Sequence, residues 1–193
     1  MIALRLVLAA AVAASASGCA DPGGLRVIPP SQQPRIVQPI APPRTTAPSS
    51  EIERRLLEAH NAERARVGSP PLRWADSLEA EARGWARQLI AGDTFAHDPS
   101  PHGHGENLWT GWGGRSWTPE EMIGEWAAER ANYRHGPFPN VSRTGNWSDV
   151  AHYTQLVWRD TTHVGCAVES RGDRSVLACR YAPPGNIDGR EAY

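Results

Sequence analysis

Two cysteines near the C-terminus constrain the fold more than any other feature of this 193-residue sequence. Cys166 and Cys179 flank the segment AVESRGDRSVLA, in which Gly172 and Asp173 suit a two-residue hairpin turn. Such a turn places the cysteines opposite each other at a non-hydrogen-bonded pair, where the Cα atoms of antiparallel strands approach most closely. We therefore predict a β-hairpin closed by a Cys166–Cys179 disulfide, which is typical of an exported protein. Two reduced, buried cysteines are the alternative for a chain kept in the cytoplasm.

The N-terminus predicts an export signal. MIALR carries one positive charge, and the apolar stretch LVLAAAVAA that follows is too short to span a bilayer. Small residues then precede Cys19, as in a bacterial lipoprotein cleavage site. We predict that residues 1–19 are a signal peptide with a lipoprotein-type cysteine, and that lipidated Cys19 tethers the protein to a membrane. The alternative is ordinary cleavage after Ala14–Ala16, which would give a periplasmic or secreted protein.

The next segment differs in composition from the rest of the chain. Residues 20–50 contain eight prolines and no periodic apolar pattern, so they cannot bury a core. We predict a Pro-rich disordered linker over residues 20–50 and a folded domain over residues 51–193. The formal net charge of −1 gives no reason to expect nucleic acid as a partner, and we expect a monomer.

Capping boxes predict the starts of three helices in the domain. In this motif a side-chain oxygen at the N-cap, and a glutamate three residues later, satisfy the first free N–H groups of the helix. The three boxes are Ser50 with Glu53, Asp76 with Glu79, and Thr118 with Glu121. Proline follows Thr118, and proline is favoured at the first helical position.

The third helix carries a carboxylate in an unusual position. Met122, Trp126, Glu129 and Tyr133 are spaced by four, three and four residues, so they share one helical face. A carboxylate within an apolar stripe is costly unless it is paired. Glu129 therefore either serves a site or pairs with a structural arginine, and the spacing alone favours the second. Glu125 lies off this stripe, and we expect it to be solvated.

Five short strings occur in order along the domain. They are HNAER (60–64), GENL (105–108), WAAERANY (126–133), AHYTQLVW (151–158) and VLACRYAPPGNIDG (176–189). The series resembles the CAP superfamily, the SCP-like domains of cysteine-rich secretory proteins, antigen 5 allergens and pathogenesis-related proteins of the first group. The resemblance implies an α+β fold, a three-layer α/β/α sandwich with a central antiparallel sheet. It favours a short helix at HYTQLVW before a strand at Val164–Val168, and we predict a bacterial, exported member.

The resemblance also implies a cavity lined by two histidines and two glutamates. These correspond to His97 in FAHDP, Glu106 in GENL, Glu129 in the third helix and His152 in AHYTQ. Neutral imidazoles suit Zn or Cu, and nearby carboxylates can ligate the metal or hold the imidazole N–H. We predict metal ligands at His97 and His152 and cavity carboxylates at Glu106 and Glu129, with Zn as the expected metal. The alternative is a hydrogen-bonded polar cluster that never holds metal.

The chain departs from the family pattern around the first histidine. Asp98 stands in place of the usual Ser, the gap to Glu106 is longer, and Ala151 stands where Gly is common. We expect His102 and His104 to be solvated on the enlarged loop.

Three functions are compatible with these features. The first is an exported binding module for a sterol, fatty acid or other small lipid, with or without metal in the His/Glu cavity. The second is a structural domain for envelope or host interactions. The third, ranked last, is a metal-dependent hydrolase in which Glu106 or Glu129 acts as general base to a metal-bound water. The insert Trp109–Trp117 either lines a ligand groove or packs its own rings.

Overall fold

The computed structural model describes residues 41–193 as four α-helices and one four-stranded sheet. The elements are α1 (Glu51–Val67), β1 (Arg73–Trp74), α2 (Asp76–Ala91), β2 (Gly105–Gly111), α3 (Pro119–Ala128), α4 (Ala151–Val157), β3 (His163–Arg171) and β4 (Arg174–Ala182), with 3₁₀ turns at Glu129–Asn132 and Trp147–Val150. The predicted signal peptide 1–19, lipidated Cys19 and the linker up to residue 40 lie outside the described residues. Within the described range, no helix has the length and apolar character needed to cross a membrane.

The sheet separates two apolar layers. Its strand order is β1-β3-β4-β2, with β1 parallel to β3 and the other neighbours antiparallel. Successive side chains of a strand point to opposite faces. Cys166 accordingly belongs to the core formed with α1, α3 and α4, whereas Ala167 packs with residues of α2. The predicted α/β/α sandwich with a central antiparallel sheet is confirmed. The two-residue β1 differs from the other strands because it pairs in parallel with β3.

The hairpin of β3 and β4 has the predicted register. Cys166 pairs with Cys179, and the two residues form a disulfide with their Cα atoms 4.1 Å apart. Gly172 in the turn has a φ of 61°, a left-handed conformation that glycine adopts without a steric cost. The predicted disulfide is confirmed.

Two of the three predicted capping boxes are present. At the start of α1, the Ser50 side chain accepts from the Glu53 N–H and the Glu53 carboxylate accepts from the Ser50 N–H. Thr118 and Glu121 form the same reciprocal pair at the start of α3. These helix starts follow from local sequence because both partners of a box lie within one turn.

The third predicted box, Asp76 with Glu79, is wrong. Asp76 is the first residue of α2, and the N-cap is Ala75, whose side chain cannot accept a hydrogen bond. Thr46 takes over this role from outside the helix. Its Oγ1 accepts from the Asp76 N–H at 3.0 Å and donates to Asp76 Oδ1 at 2.7 Å.

The segment before α1 belongs to the folded domain, which corrects the end of the predicted linker. The Thr46 N–H donates to the Trp74 carbonyl at 2.9 Å and so pairs this segment with β1. Thr45 Oγ1 lies 2.9 Å from His163 Nε2. Because β1 is an edge strand, it has backbone groups available to a further extended segment, and Thr46 pairs there despite the prolines around it.

Candidate functional site

The first of two histidine–glutamate pairs joins α4 to the end of α3. α3 ends at Ala128, and Glu129 opens the 3₁₀ turn that follows. His152 Nδ1 lies 2.6 Å from Glu129 Oε1, and the Tyr153 N–H donates to Glu129 Oε2 at 3.0 Å. The Trp126 ring is stacked parallel to the His152 ring at 6.0 Å. The half-buried Glu129 carboxylate is thus paired with a histidine and a backbone N–H, rather than with a structural arginine.

The second pair joins β2 to the loop that follows α2. His97 Nδ1 lies 2.5 Å from Glu106 Oε1, which also accepts from the Asp98 N–H at 3.2 Å. The His97 side chain is 66% exposed, whereas that of Glu106 is buried. The hydrogen bond to Glu106 raises the pKa of His97 above its usual value, against a smaller opposing effect of burial.

A buried arginine that the sequence analysis missed lies behind this second pair. Arg180 on β4 is the register partner of Glu106 on β2. Its Nη1 is 2.9 Å from Glu106 Oε2, and its Nη2 donates to Asp98 Oδ2 at 2.5 Å. The sequence marks Asp98 only as a departure from the family pattern. In the structure Asp98 is a partner of Arg180, and Arg180 lies opposite Glu106 because β2 pairs with β4.

Three of the four predicted site residues line one cleft. A cavity of about 350 Å³ is bordered by His97, Glu106 and His152, together with Asn107, Trp147, Ser148, Ala151 and Asn186. Glu129 borders a neighbouring cavity of about 260 Å³, which it shares with His152. His152 therefore borders both cavities. Glu129, which lines the smaller cavity, contacts the His152 ring at Nδ1.

The two pairs have the chemistry of a histidine metal site. Each imidazole directs Nδ1 to a carboxylate, so Nδ1 carries the proton in the neutral ring and Nε2 is left as the nitrogen that can coordinate a metal. Among the described residues, the four groups do not bring three ligand atoms within 4.8 Å of one another. A Zn²⁺ ion held here would therefore have at most the two imidazoles as ligands, supported by the two carboxylates, and not a closed four-ligand cage.

One other group of metal-binding residue types occurs in the described part of the chain. His60, Cys166 and Cys179 offer ligand atoms within 4.8 Å of one another, but both sulfurs are in the disulfide and cannot act as thiolates. His60 is fully buried, with Nδ1 at 2.7 Å from the Leu56 carbonyl and Nε2 at 2.8 Å from the Tyr181 hydroxyl. Burial lowers the pKa of His60 to about 4, so the ring is neutral and structural.

Hydrogen bonds connect this buried histidine to the cleft. Asn107 Nδ2 donates to the Tyr181 hydroxyl at 3.3 Å and to the His152 carbonyl at 3.0 Å. The backbone of His152 is therefore tied to β2, next to Glu106.

The enlarged loop is more closely attached to the domain than the sequence suggested. His104 Nδ1 lies 2.8 Å from Glu81 Oε2 on α2, so the prediction that His104 is solvated is wrong. His102 is exposed, as expected, and has a φ of 53°. His104 differs from His102 because it contacts Glu81 on α2. No local sequence pattern predicts this contact.

The tryptophan-rich insert packs two of its own rings together and, through Trp109 and Thr110, also lines the cavity that holds Glu129. Trp109 and Trp117 meet edge to face at 5.1 Å, and the Arg115 guanidinium lies 3.4 Å from the centre of the Trp117 ring. Glu125 is exposed, as predicted, and its Oε2 accepts from Trp109 Nε1 at 2.7 Å. Trp112 is exposed near the hairpin turn, away from the two cavities beside His152.

The chain is similar in sequence to proteins of one known family. The model of the cysteine-rich secretory protein family (CAP) matches residues 57–181. Pathogenesis-related protein 1C of Nicotiana tabacum is 40% identical over 140 residues, which cover 71% of this chain and 78% of that protein. Pathogenesis-related protein 1 of Arabidopsis thaliana is 34% identical over 139 residues, covering 71% and 80%.

A solved structure adds a relative that carries a metal. The crystal structure of NaASP2 with Zn²⁺ matches with a TM-score of 0.66 and 25% identity, over 77% of this chain and 90% of that one. The two curated relatives named above are plant proteins, so they do not support the predicted bacterial origin, which stays a prediction.

Proposed function

The chain belongs to the cysteine-rich secretory protein (CAP) family, and from this we propose that it is an exported module that binds a divalent metal, with Zn²⁺ held by Nε2 of His97 and of His152. One observation carries the proposal. Both histidines line the same cleft, and each is held at Nδ1 by a carboxylate at 2.5 or 2.6 Å. This arrangement fixes the tautomer and makes the imidazole a stronger ligand.

The expected affinity is modest. Two protein nitrogens leave further coordination positions to water, unlike the four protein ligands of a structural zinc site. The likeness to a CAP protein solved with Zn²⁺ supports the choice of metal. The bound metal would supply a positive centre in the cleft that polarises a water or a ligand oxygen.

Catalysis ranks below binding because both carboxylates are already engaged. Glu129 accepts from His152 and from the Tyr153 N–H, and Glu106 pairs with His97 and Arg180. A general base needs a carboxylate oxygen that reaches the reacting water. Each carboxylate already holds one of the two histidines, so action as a general base would compete with that role.

A second candidate function is the binding of a small lipid or sterol. A largely apolar cavity of about 480 Å³ lies between Ala41 and Pro42 of the N-terminal segment and Pro183 and Pro184 after β4. An apolar cavity of this size suits an acyl chain or a ring system. Saturable uptake of palmitate or cholesterol, weakened by a bulky replacement such as Ala182→Phe at this cavity, would support it.

Export is part of the proposal. The disulfide fits an oxidising compartment, and the family is named for secretory proteins. We further propose that Cys19 carries a lipid that tethers the chain to a membrane. Mass spectrometry of the mature N-terminus would detect a diacylglyceryl group on Cys19, and an unmodified N-terminus elsewhere would refute the tether.

The metal proposal is tested by calorimetric titration of the full chain with Zn²⁺ near pH 7.5. We expect one site in the wild type, lost in His152→Ala and in His97→Ala, and unchanged in the control His102→Ala, which removes an exposed histidine from the same loop. Wild-type affinity in the His152→Ala variant would refute the site. Absence of any binding would leave the two pairs as a purely structural cluster.

A further inference from the structure

Exposed aromatic rings border the two cavities beside His152. Trp147 is 47% exposed and lines the cavity that holds His97 and Glu106. Phe95 is 49% exposed and lines the cavity that holds Glu129. His152 borders both cavities, and one exposed ring lines each of them. We call the two cavities together the His152 cleft.

Local contacts hold the Trp147 ring and the backbone next to Phe95. Trp147 begins the 3₁₀ turn before α4, and the Phe138 ring packs against it at 5.3 Å, edge to face. Phe95 precedes Ala96, whose carbonyl accepts from Trp85 Nε1 on α2 at 3.1 Å. A held, exposed ring offers contact area at a low cost in conformational entropy, which suits Trp147 to bind a ligand, and aromatic side chains such as Phe95 have few rotatable bonds to order.

Polar groups line the same two cavities as the rings. Ser148 and Asn186 border the first cavity, and Thr110 and Glu125 border the second. Asn186, Thr110 and Glu125 also bond within the protein, and their oxygens keep lone pairs that can accept from ligand hydroxyls. The carboxylates that line the cleft also disfavour a polyanionic ligand.

We propose that the His152 cleft binds an oligosaccharide, with pyranose rings stacked on Trp147 and Phe95 and their hydroxyls bonded by the polar groups of the two cavities. A pyranose ring has an apolar face of C–H groups and a rim of hydroxyls, which matches this combination of flat rings and polar side chains. In a β-1,4-linked chain, successive sugars turn their faces to opposite sides, so one chain can meet two separate aromatic rings. This function goes beyond metal binding and does not require a bound metal.

The experiment uses the full chain and two defined probes, chitotetraose and cellotetraose. Binding is followed by NMR, through the indole N–H signals of the tryptophans, and by calorimetry, once with EDTA and once with Zn²⁺. We expect saturable binding of at least one probe in EDTA, with the Trp147 signal shifted. We expect about a tenfold loss of affinity in Trp147→Ala and in Phe95→Ala, which is about 1.4 kcal/mol.

Trp112→Ala is the matched control, because it removes an equally exposed tryptophan that does not border the cleft. Its affinity should equal that of the wild type. Absence of saturable binding of both probes up to millimolar concentration would overturn the proposal, as would wild-type affinity in the Trp147→Ala and Phe95→Ala variants. Displacement of the probe by palmitate at the same tryptophan would assign the cleft to an acyl chain instead. Because the EDTA arm excludes metal, failure here is separate from failure of the zinc site.

Discussion

Arg180 Nη1 lies 2.9 Å from Glu106 Oε2, across the register that pairs β4 with β2. The same guanidinium donates to Asp98, the residue next to His97. The loop that carries His97 is therefore attached to the sheet through a buried ion pair. The His152–Glu129 pair has no arginine contact of this kind in the described part of the chain, so the two halves of the candidate site differ in how they are held.

Asp98→Asn should weaken both the fold and the site. The buried Arg180 would lose one of its two carboxylate partners, which costs about 1–3 kcal/mol of unfolding free energy. Zn²⁺ affinity should fall about tenfold, because residues that orient metal ligands typically contribute this much. Urea unfolding and calorimetry measure the two effects. Asp93→Asn is the control, since exposed Asp93 also pairs with a buried arginine, Arg174, but lies away from the cleft.

The protonation of His97 should follow its raised pKa. The folded pKa lies above the unfolded one, so the interaction with Glu106 stabilises the fold below the unfolded pKa, and this contribution is lost as pH rises through the folded pKa. Zn²⁺ must displace the same proton, so its affinity should fall as pH drops below the folded pKa. NMR titration of the His97 ring checks this. Glu106→Gln should return the pKa of His97 toward its usual value.

His60 should make the fold sensitive to acid. Its pKa is lowered to about 4 by burial, whereas the unfolded chain has the ordinary value of 6.5. Between these values the unfolded state binds the extra proton, so stability falls as pH falls, by at most about 1.4 kcal/mol per pH unit for this one group. His60→Gln should flatten the pH dependence of the unfolding free energy. An unchanged slope in that variant would contradict a neutral His60.

Removal of the disulfide should destabilise the domain by about 3 kcal/mol, because the unfolded chain gains the entropy of a loop whose ends are 13 residues apart in sequence. Cys166→Ala together with Cys179→Ala, compared with the oxidised wild type by urea unfolding, measures this. Reduction of the wild type should have a similar effect. Equal stability of all three would show that the bond adds nothing to the hairpin.

Thr46→Val should cost about 1 kcal/mol, the usual value of an N-cap, because α2 has no cap of its own. Thr118→Val, which removes a local cap from α3, should cost a similar amount and serves as the comparison. A chain that begins at residue 51 should be less stable than one that begins at residue 41. Equal melting temperatures of these two chains would mean that the folded domain begins at α1 and that residues 41–50 do not stabilise it.

The sequence by itself determined those features whose partners are close along the chain. The two-residue turn at Gly172 and Asp173 sets the register of the hairpin, and that register places Cys166 opposite Cys179. Ser50 and Thr118 marked helix starts because their glutamates lie within the same turn. The order of the family motifs was enough for the fold and for the choice of the two histidines and two glutamates, but not for which glutamate holds which histidine.

Only the tertiary structure decided the contacts between distant segments. Arg180 is opposite Glu106 because β2 pairs with β4, and no local pattern fixes the register of strands that are so far apart along the chain. The cap that Thr46 gives to α2 and the partner that Glu81 gives to His104 arise in the same way. A hydrogen bond or ion pair depends on distances of about 3 Å, and for residues far apart in sequence the packing of the whole chain sets those distances.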